Sequence, residues 1–312
     1  MASTTKQVPA AAGEAHRPLD LDADRADRGR PHHAVVDIGS NSVRLVVYDE
    51  LGRAPFPRFN EKSLCRLGEG LERTGRLSEA SFAKTIEACR RFRAITEAMQ
   101  VARTDVLATE AVRKASNGDE LIAAIAEASG FEVRLLSGAE EARYAGFGVI
   151  SGFYRPTGLV GDMGGGSLEA IEILDDRVGD RQVSLPLGAL PVQAMLAAEG
   201  REARRRIDRM LAEHLPPALT SEHVFYAVGG GFRALAKAHM AEVASPVQVV
   251  HGYTLDAGVA RDLARRIWRM PPEELAAHPG VGPRRRGPPP KAAQERGRPQ
   301  KKNKPPRGGG EK

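Results

Sequence analysis

Two stretches decide the fold: VVDIGSNSVRLVVYD over residues 35–49 and LVGDMGGGSLEAIEILDD over residues 159–176. Each runs through an apolar strand, an aspartate, a glycine-containing turn with serine, and a second apolar strand, the pattern of a strand–turn–strand hairpin. Asp37 and Asp162 hold the same place in the two units. One such turn is ordinarily just a turn. Two copies with matching Asp and Ser predict duplicated halves facing one cleft. In such turns glycines, Gly39 in the first copy, let backbone N–H groups approach an anion closely, and the aspartate can hold a divalent cation or its waters.

A third glycine cluster lies in YAVGGGFRALA over residues 226–236, after a short apolar strand and before a helical pattern. Its amides, at Gly230 for example, point at the start of that helix, a natural anion site; a tight turn between strand and helix is an equal reading. Neither a P-loop GxxxxGK[ST] nor a GxGxxG with its downstream acid is present, which argues against those two nucleotide-binding schemes.

Further out, strand and helix patterns alternate, which predicts an α/β architecture. After Ser78, Phe82, Ile86, Cys89, Ile95 and Met99 fall on one helical face. Asn117 and Glu120 read as a capping pair opening a helix that Gly130 stops. FEVRLLSG reads as a strand leading into a helix with Ser137 as N-cap. Residues 1–31 show no sustained periodicity, and the segment from Pro283 onward lacks every large apolar residue while holding seven prolines and five glycines. Both ends are expected to be disordered. The expected organisation is a leader over 1–31, one α/β domain over 32–157, a second over 158–282, and a basic tail over 283–312.

The chain has 312 residues, 41% apolar and 28% charged, ordinary for two globular domains and incompatible with a fibrous or wholly disordered protein. The net charge of +6 points superficially to nucleic acid. The tail, however, carries eleven Lys or Arg against two Glu, +9, and residues 1–31 carry five charges of each sign. Residues 32–282 therefore total about −3, and nucleic-acid affinity is expected only as weak, salt-sensitive binding by the tail. Cys65 and Cys89 form no CxxC and have no nearby His pair; both are expected as buried small hydrophobes. No stretch approaches the roughly 18–20 apolar residues of a membrane helix, and the first thirty residues lack the apolar run of a secretion signal, so a cytoplasmic protein without membrane contact is expected.

The motifs DIGSNSVRL, ATEAVRKASN, SGAEEARYAG, DMGGGSLE and VGGGFRALA, in that order over about residues 32–282, together resemble the exopolyphosphatase and guanosine pentaphosphate phosphatase family. The resemblance implies two actin-like (ribonuclease H-like) α/β domains flanking a cleft. It also implies magnesium, with manganese as an alternative, and a substrate that is inorganic polyphosphate or a phosphorylated guanosine nucleotide. A homodimer is compatible with it. Residue by residue, Glu141 matches the family's presumed general base, Asp162 and Glu169 its metal-associated acids, and Arg113 its phosphate-binding arginine. Asn41 and Ser42 match phosphate contacts from the first hairpin, and Gly164, Gly165, Gly166 and Ser167 those from the second.

The residues support several of these assignments independently. Glu140 stands three positions after Ser137 and is the natural capping-box partner, which leaves Glu141 to project elsewhere, kept ionised by the helix dipole. A hairpin brings the end of one strand opposite the start of the next, so Asp162 and Glu169 can flank one ion although seven residues separate them. The Arg113 guanidinium fork suits bidentate phosphate recognition. Glu110 reads as a helix N-terminal acid outside the site, His251 as a packed histidine, and REARRRIDR over 201–209 as a solvated helix face or a guide for a polyanion. The chain departs from the family at Gly282, where PRRRGPPPKAA replaces an apolar helical segment, so the second domain is expected to be incomplete. An actin-like ATPase or kinase, and a phosphate-ligand or alarmone sensor without turnover, are the competing readings.

Overall fold

A computed structural model describes residues 32–50, 52, 55–215 and 224–278; the leader and the basic tail lie outside the described residues. Both hairpins form where their alternation places them. β1 (His32–Ile38) pairs antiparallel with β2 (Val43–Tyr48), and β2 with β3 (Pro57–Ser63). β4 (Val101–Ala108) lies parallel to β1, and the short β5 (Val133–Leu135) parallel to β4. The first sheet thus has the order β3-β2-β1-β4-β5.

Helix α1 (Leu71–Thr74) precedes the long helix α2 (Glu79–Ala98), whose N-cap Ser78 accepts from the Ser81 amide. Cys89 of α2 is fully buried, and Phe82, Ile86, Ile95 and Met99 pack against the core formed by Val36, Ile38, Leu45 and Val106. Phe92, also fully buried, joins them without having been singled out in the sequence. Each such side chain contributes about 1.5–3 kcal/mol by leaving water. Cys65 and Cys89 are free and buried, as expected.

After β4 come α3 (Glu110–Lys114) and α4 (Gly118–Ser129). The capping pair expected at Asn117 and Glu120 does not form: the Asn117 side chain caps nothing. It instead accepts from the Leu77 amide at 2.8 Å and donates to the Leu77 carbonyl at 3.2 Å, pinning the entry to α2 against α4. A buried amide is better satisfied by two backbone groups than by one helix end.

The second sheet repeats the plan. β6 (Gly158–Met163) and β7 (Leu168–Leu174) form the hairpin, β8 (Arg177–Leu185) extends it, and β9 (Val224–Gly229) runs parallel to β6, giving the order β8-β7-β6-β9. Among the described residues this sheet has four strands where the first has five.

Helix α5 (Gly138–Gly152) follows β5 in the chain but packs on the second sheet: Ala142 and Val149 share a core with Val160, Ile171 and Ile173. A division at 157/158 therefore passes behind a helix whose apolar face belongs to the second half. Helices α6 (Ala189–Glu199), α7 (Arg201–His214), α8 (Gly230–Glu242), α9 (Ala257–Arg269) and α10 (Pro272–Ala277) complete the described chain. No helix among the described residues is long and apolar enough to cross a membrane.

Candidate active site

The site lies where the two hairpin turns meet. In the first, the Gly39 amide donates to the Ser42 carbonyl at 3.1 Å, and the Ser40 and Asn41 carbonyls accept from Gly68 and Arg66. In the second, the Gly164 amide donates to the Ser167 carbonyl at 3.0 Å. The carbonyls of Gly164, Gly165 and Gly166 are taken by the amides of Ala189, Leu190 and Gly188 at the start of α6. The three carbonyls of this turn are thus satisfied inside the protein. The turns also touch: a Cβ on Gly165 would lie 2.9 Å from the Ser40 Cβ. The structure thus brings Asn41, Ser42 and Gly164–Ser167 to one place.

Asp162 and Glu169 are direct cross-strand partners in the β6–β7 register, as the hairpin argument expects. Glu169 is buried. Burial pushes its carboxyl up to about 7; hydrogen bonding from Ser167 opposes the shift, the charge of Glu141 adds to it, Ser184 opposes and Asp162 adds. Ser184 Oγ donates to Glu169 Oε1 at 2.9 Å from the neighbouring strand β8. Burial also raises Asp162, against the pull of Arg233. Asp37 is exposed at the surface of its strand; desolvation by its surroundings, followed by the charge of Asp162, lifts its carboxyl to about 6. Several carboxylates of like charge thus face one another in a poorly solvated space, an arrangement that a cation relieves.

Glu140 and Glu141 part company as expected. Ser137 and Glu140 form a full capping box, the Glu140 carboxylate accepting from the Ser137 amide at 2.9 Å. Glu141 turns inward instead, its side chain 14% exposed, and accepts from Arg113 Nη1 at 2.6 Å. Burial raises the Glu141 carboxyl from its ordinary value, Arg113 opposes the rise, and Glu110 and Asp37 add to it. One arm of the Arg113 guanidinium, Nη1, is thus engaged inside the protein, holding Glu141 and donating to the Leu136 carbonyl.

The third glycine cluster joins the site edge-on. β9 lies parallel to β6 with Gly229 beside Met163, and a Cβ on Gly229 would stand 3.1 Å from Asp162 Oδ1. Gly229, at φ 104, caps α8, which Gly230 opens. Only glycine takes that backbone conformation without strain.

Four residues escaped the sequence reading. Ser40, in the first turn, is buried against Gly165 and Gly166 of the second, Ser184 supports Glu169, and Arg233 faces Asp162. Glu110, expected outside, is only 5% exposed. Ser184 carries no local motif, and Arg233, although it lies in VGGGFRALA, has no signature of its own, because their roles come from strand pairing and from the β9–α8 turn. His251 packs its ring 5.3 Å from that of Phe153. In the 201–209 run, Arg204, Arg205 and Arg206 pair with Asp208, Glu202 and Glu199, so a solvated, internally paired face accounts for much of its charge.

Comparison with known proteins bears on the family and the fold. The sequence model of the Ppx/GppA phosphatase family matches residues 34–288. Exopolyphosphatase 1 of Mycobacterium tuberculosis is 30% identical over 259 residues, 79% of this chain and 75% of that protein. The crystal structure of the Aquifex aeolicus member of the Ppx/GppA family superposes with a TM-score of 0.68 at 26% identity, covering 82% of this chain and 85% of that one. The structure of an exopolyphosphatase from Cytophaga hutchinsonii, 24% identical, shares the fold with a TM-score of 0.69 over 82% of this chain and 85% of that one. The two sheets are thus the two halves of an actin-like α/β fold.

Proposed function

The chain belongs to the Ppx/GppA phosphatase family, and from that premise we propose that it hydrolyses the terminal phosphoanhydride bond of inorganic polyphosphate with Glu141 as general base. The observation that carries the reading is the convergence of Glu141, paired to Arg113, with two glycine turns and the Asp162–Glu169 pair. The amides of Gly165 and Gly166, with Asn41 and Ser42 opposite, hold the terminal phosphate. Glu141 accepts a proton from water as the water oxygen bonds to the terminal phosphorus. The bridging P–O bond breaks, and its electron pair leaves with the shortened chain. Arg113, whose Nη1 holds Glu141, would counter charge on the transferring phosphoryl group through the rest of its guanidinium, since phosphoryl transfer depends mainly on positioning and electrostatics.

The donor set suits a magnesium ion in being made of carboxylate oxygens crowded by like charge; among the described residues no group of three His, Cys, Asp or Glu is placed to hold a metal ion by itself, so the protein would supply only part of the coordination. Magnesium keeps several waters and needs few protein ligands. Asp162 and Glu169 would hold it, and when bound it neutralises phosphate oxygens and the two carboxylates. Manganese fits the same oxygen set.

Guanosine pentaphosphate presents the same terminal bond, so it is the second substrate to be tried. The test is release of orthophosphate from long-chain polyphosphate and from guanosine pentaphosphate in water enriched in oxygen-18, with and without magnesium. One solvent oxygen in each phosphate released, dependent on the metal, supports hydrolysis. Phosphoryl transfer to an added acceptor without solvent oxygen would favour the kinase reading, and binding without release the sensor.

A further inference from the structure

Glu110 sits in the first turn of α3, where an acid commonly faces solvent and favours the helix dipole. Here it is buried at the junction of the two halves. Lys114, one turn on, holds its carboxylate at 2.6 Å, and the same ammonium lies 3.4 Å from Glu72 on α1. A buried carboxylate is costly unless paired, so the Lys114 contact is what keeps Glu110 inside. Its other oxygen faces the second half: a Cβ built on Gly166 would lie 1.6 Å from Glu110 Oε2 and 2.8 Å from Ser40 Oγ. The carboxylate fills the space that any other residue at 166 would need.

The turn cannot retreat from this contact. Gly188, behind it, donates to the Gly166 carbonyl at 3.1 Å, and a Cβ on Gly188 would strike the Gly166 carbonyl carbon at 2.3 Å. Gly166 is thus held between Glu110 on one side and the start of α6 on the other, while Gly165 beside it lies against Ser40 and Asn41. We propose that Glu110, clamped by Lys114, is a positioning residue that seats the second half's glycine turn against the first half and so sets the spacing of the two phosphate-binding turns.

The first test concerns packing alone and needs no activity. Melting midpoints of the full chain are compared for wild type, Glu110→Ala, Gly166→Ala and the double variant. Gly166→Ala is expected to lower the midpoint sharply in the wild-type background and far less once Glu110 is shortened, because the added methyl group then has room. Equal, additive shifts overturn the proposal. If Glu110→Ala does not yield folded protein, Glu110→Asp, which withdraws the carboxylate by one methylene, takes its place with the same expectation.

The second test rests on the hydrolase reading. Glu110→Gln keeps the shape but loses the ionic clamp, so kcat on polyphosphate is expected to fall about 10–100-fold through misplacement of the turn. KM is expected to change by less than about threefold, because the lost contact acts on positioning in the transition state. An unchanged kcat overturns the proposal. If wild type releases no phosphate, the hydrolase reading fails by itself, and the melting cycle still decides the role of Glu110.

Discussion

Arg113 Nη1 lies 2.6 Å from Glu141 Oε1, and the arginine also donates to the carbonyl of Leu136, so the guanidinium is fixed between α5 and the end of the first sheet. Burial raises the Glu141 carboxyl and Arg113 opposes that rise. Removing the arginine leaves desolvation unopposed, so Glu141 must protonate at higher pH. Arg113→Ala is therefore expected to move the acid limb of the pH profile of kcat/KM upward, besides lowering kcat. An unmoved limb contradicts the assignment of Glu141 as the titrating base.

The crowded carboxylates also predict how stability depends on pH without metal. The Glu169 carboxyl rises to about 7 in the folded protein. It therefore binds more protons folded than unfolded between about pH 4.5 and 7. Its contribution makes stability fall as pH rises through that window and adds no further loss above it, with a total of about 3 kcal/mol. Thermal melts of wild type and Glu169→Gln should differ in slope over that range, and magnesium should flatten the wild-type curve. Parallel slopes would remove Glu169 from the account.

Ser184 donates to Glu169 at 2.9 Å. Ser184→Ala should weaken magnesium binding about tenfold, the usual size of a lost support to a metal-bound carboxylate. Calorimetric titration checks this, and an unchanged affinity would mean that Glu169 does not bind the ion.

Asn117 satisfies both backbone groups of Leu77 inside the first core. Asn117→Ala should cost about 2 kcal/mol or more by leaving two buried polar groups unpaired. Urea unfolding measures the loss, and the site chemistry should be preserved in the folded fraction.

What the sequence disclosed is what local pattern encodes. The hairpins around Asp37 and Asp162, the pairing of Asp162 with Glu169 and the capping box at Ser137 each follow from a few adjacent residues. What it hid depends on tertiary contact. Asn117 carries a capping signature but finds better partners at Leu77, forty residues away. Glu110 carries the signature of a helix-end acid but is drawn inward by Lys114 and by the gap left at Gly166. Ser184 becomes functional only because β8 lies beside β7. Helix α5 belongs by chain order to the first half, yet its apolar face matches the second sheet, something periodicity cannot assign.

The most direct test of the central claim is the initial rate of orthophosphate release from long-chain polyphosphate, with magnesium, by wild type and by Glu141→Gln matched for folded concentration. Loss of a general base predicts a fall in kcat of about 100-fold or more, with bound polyphosphate retained. A Glu141→Gln protein that releases phosphate at the wild-type rate would contradict it.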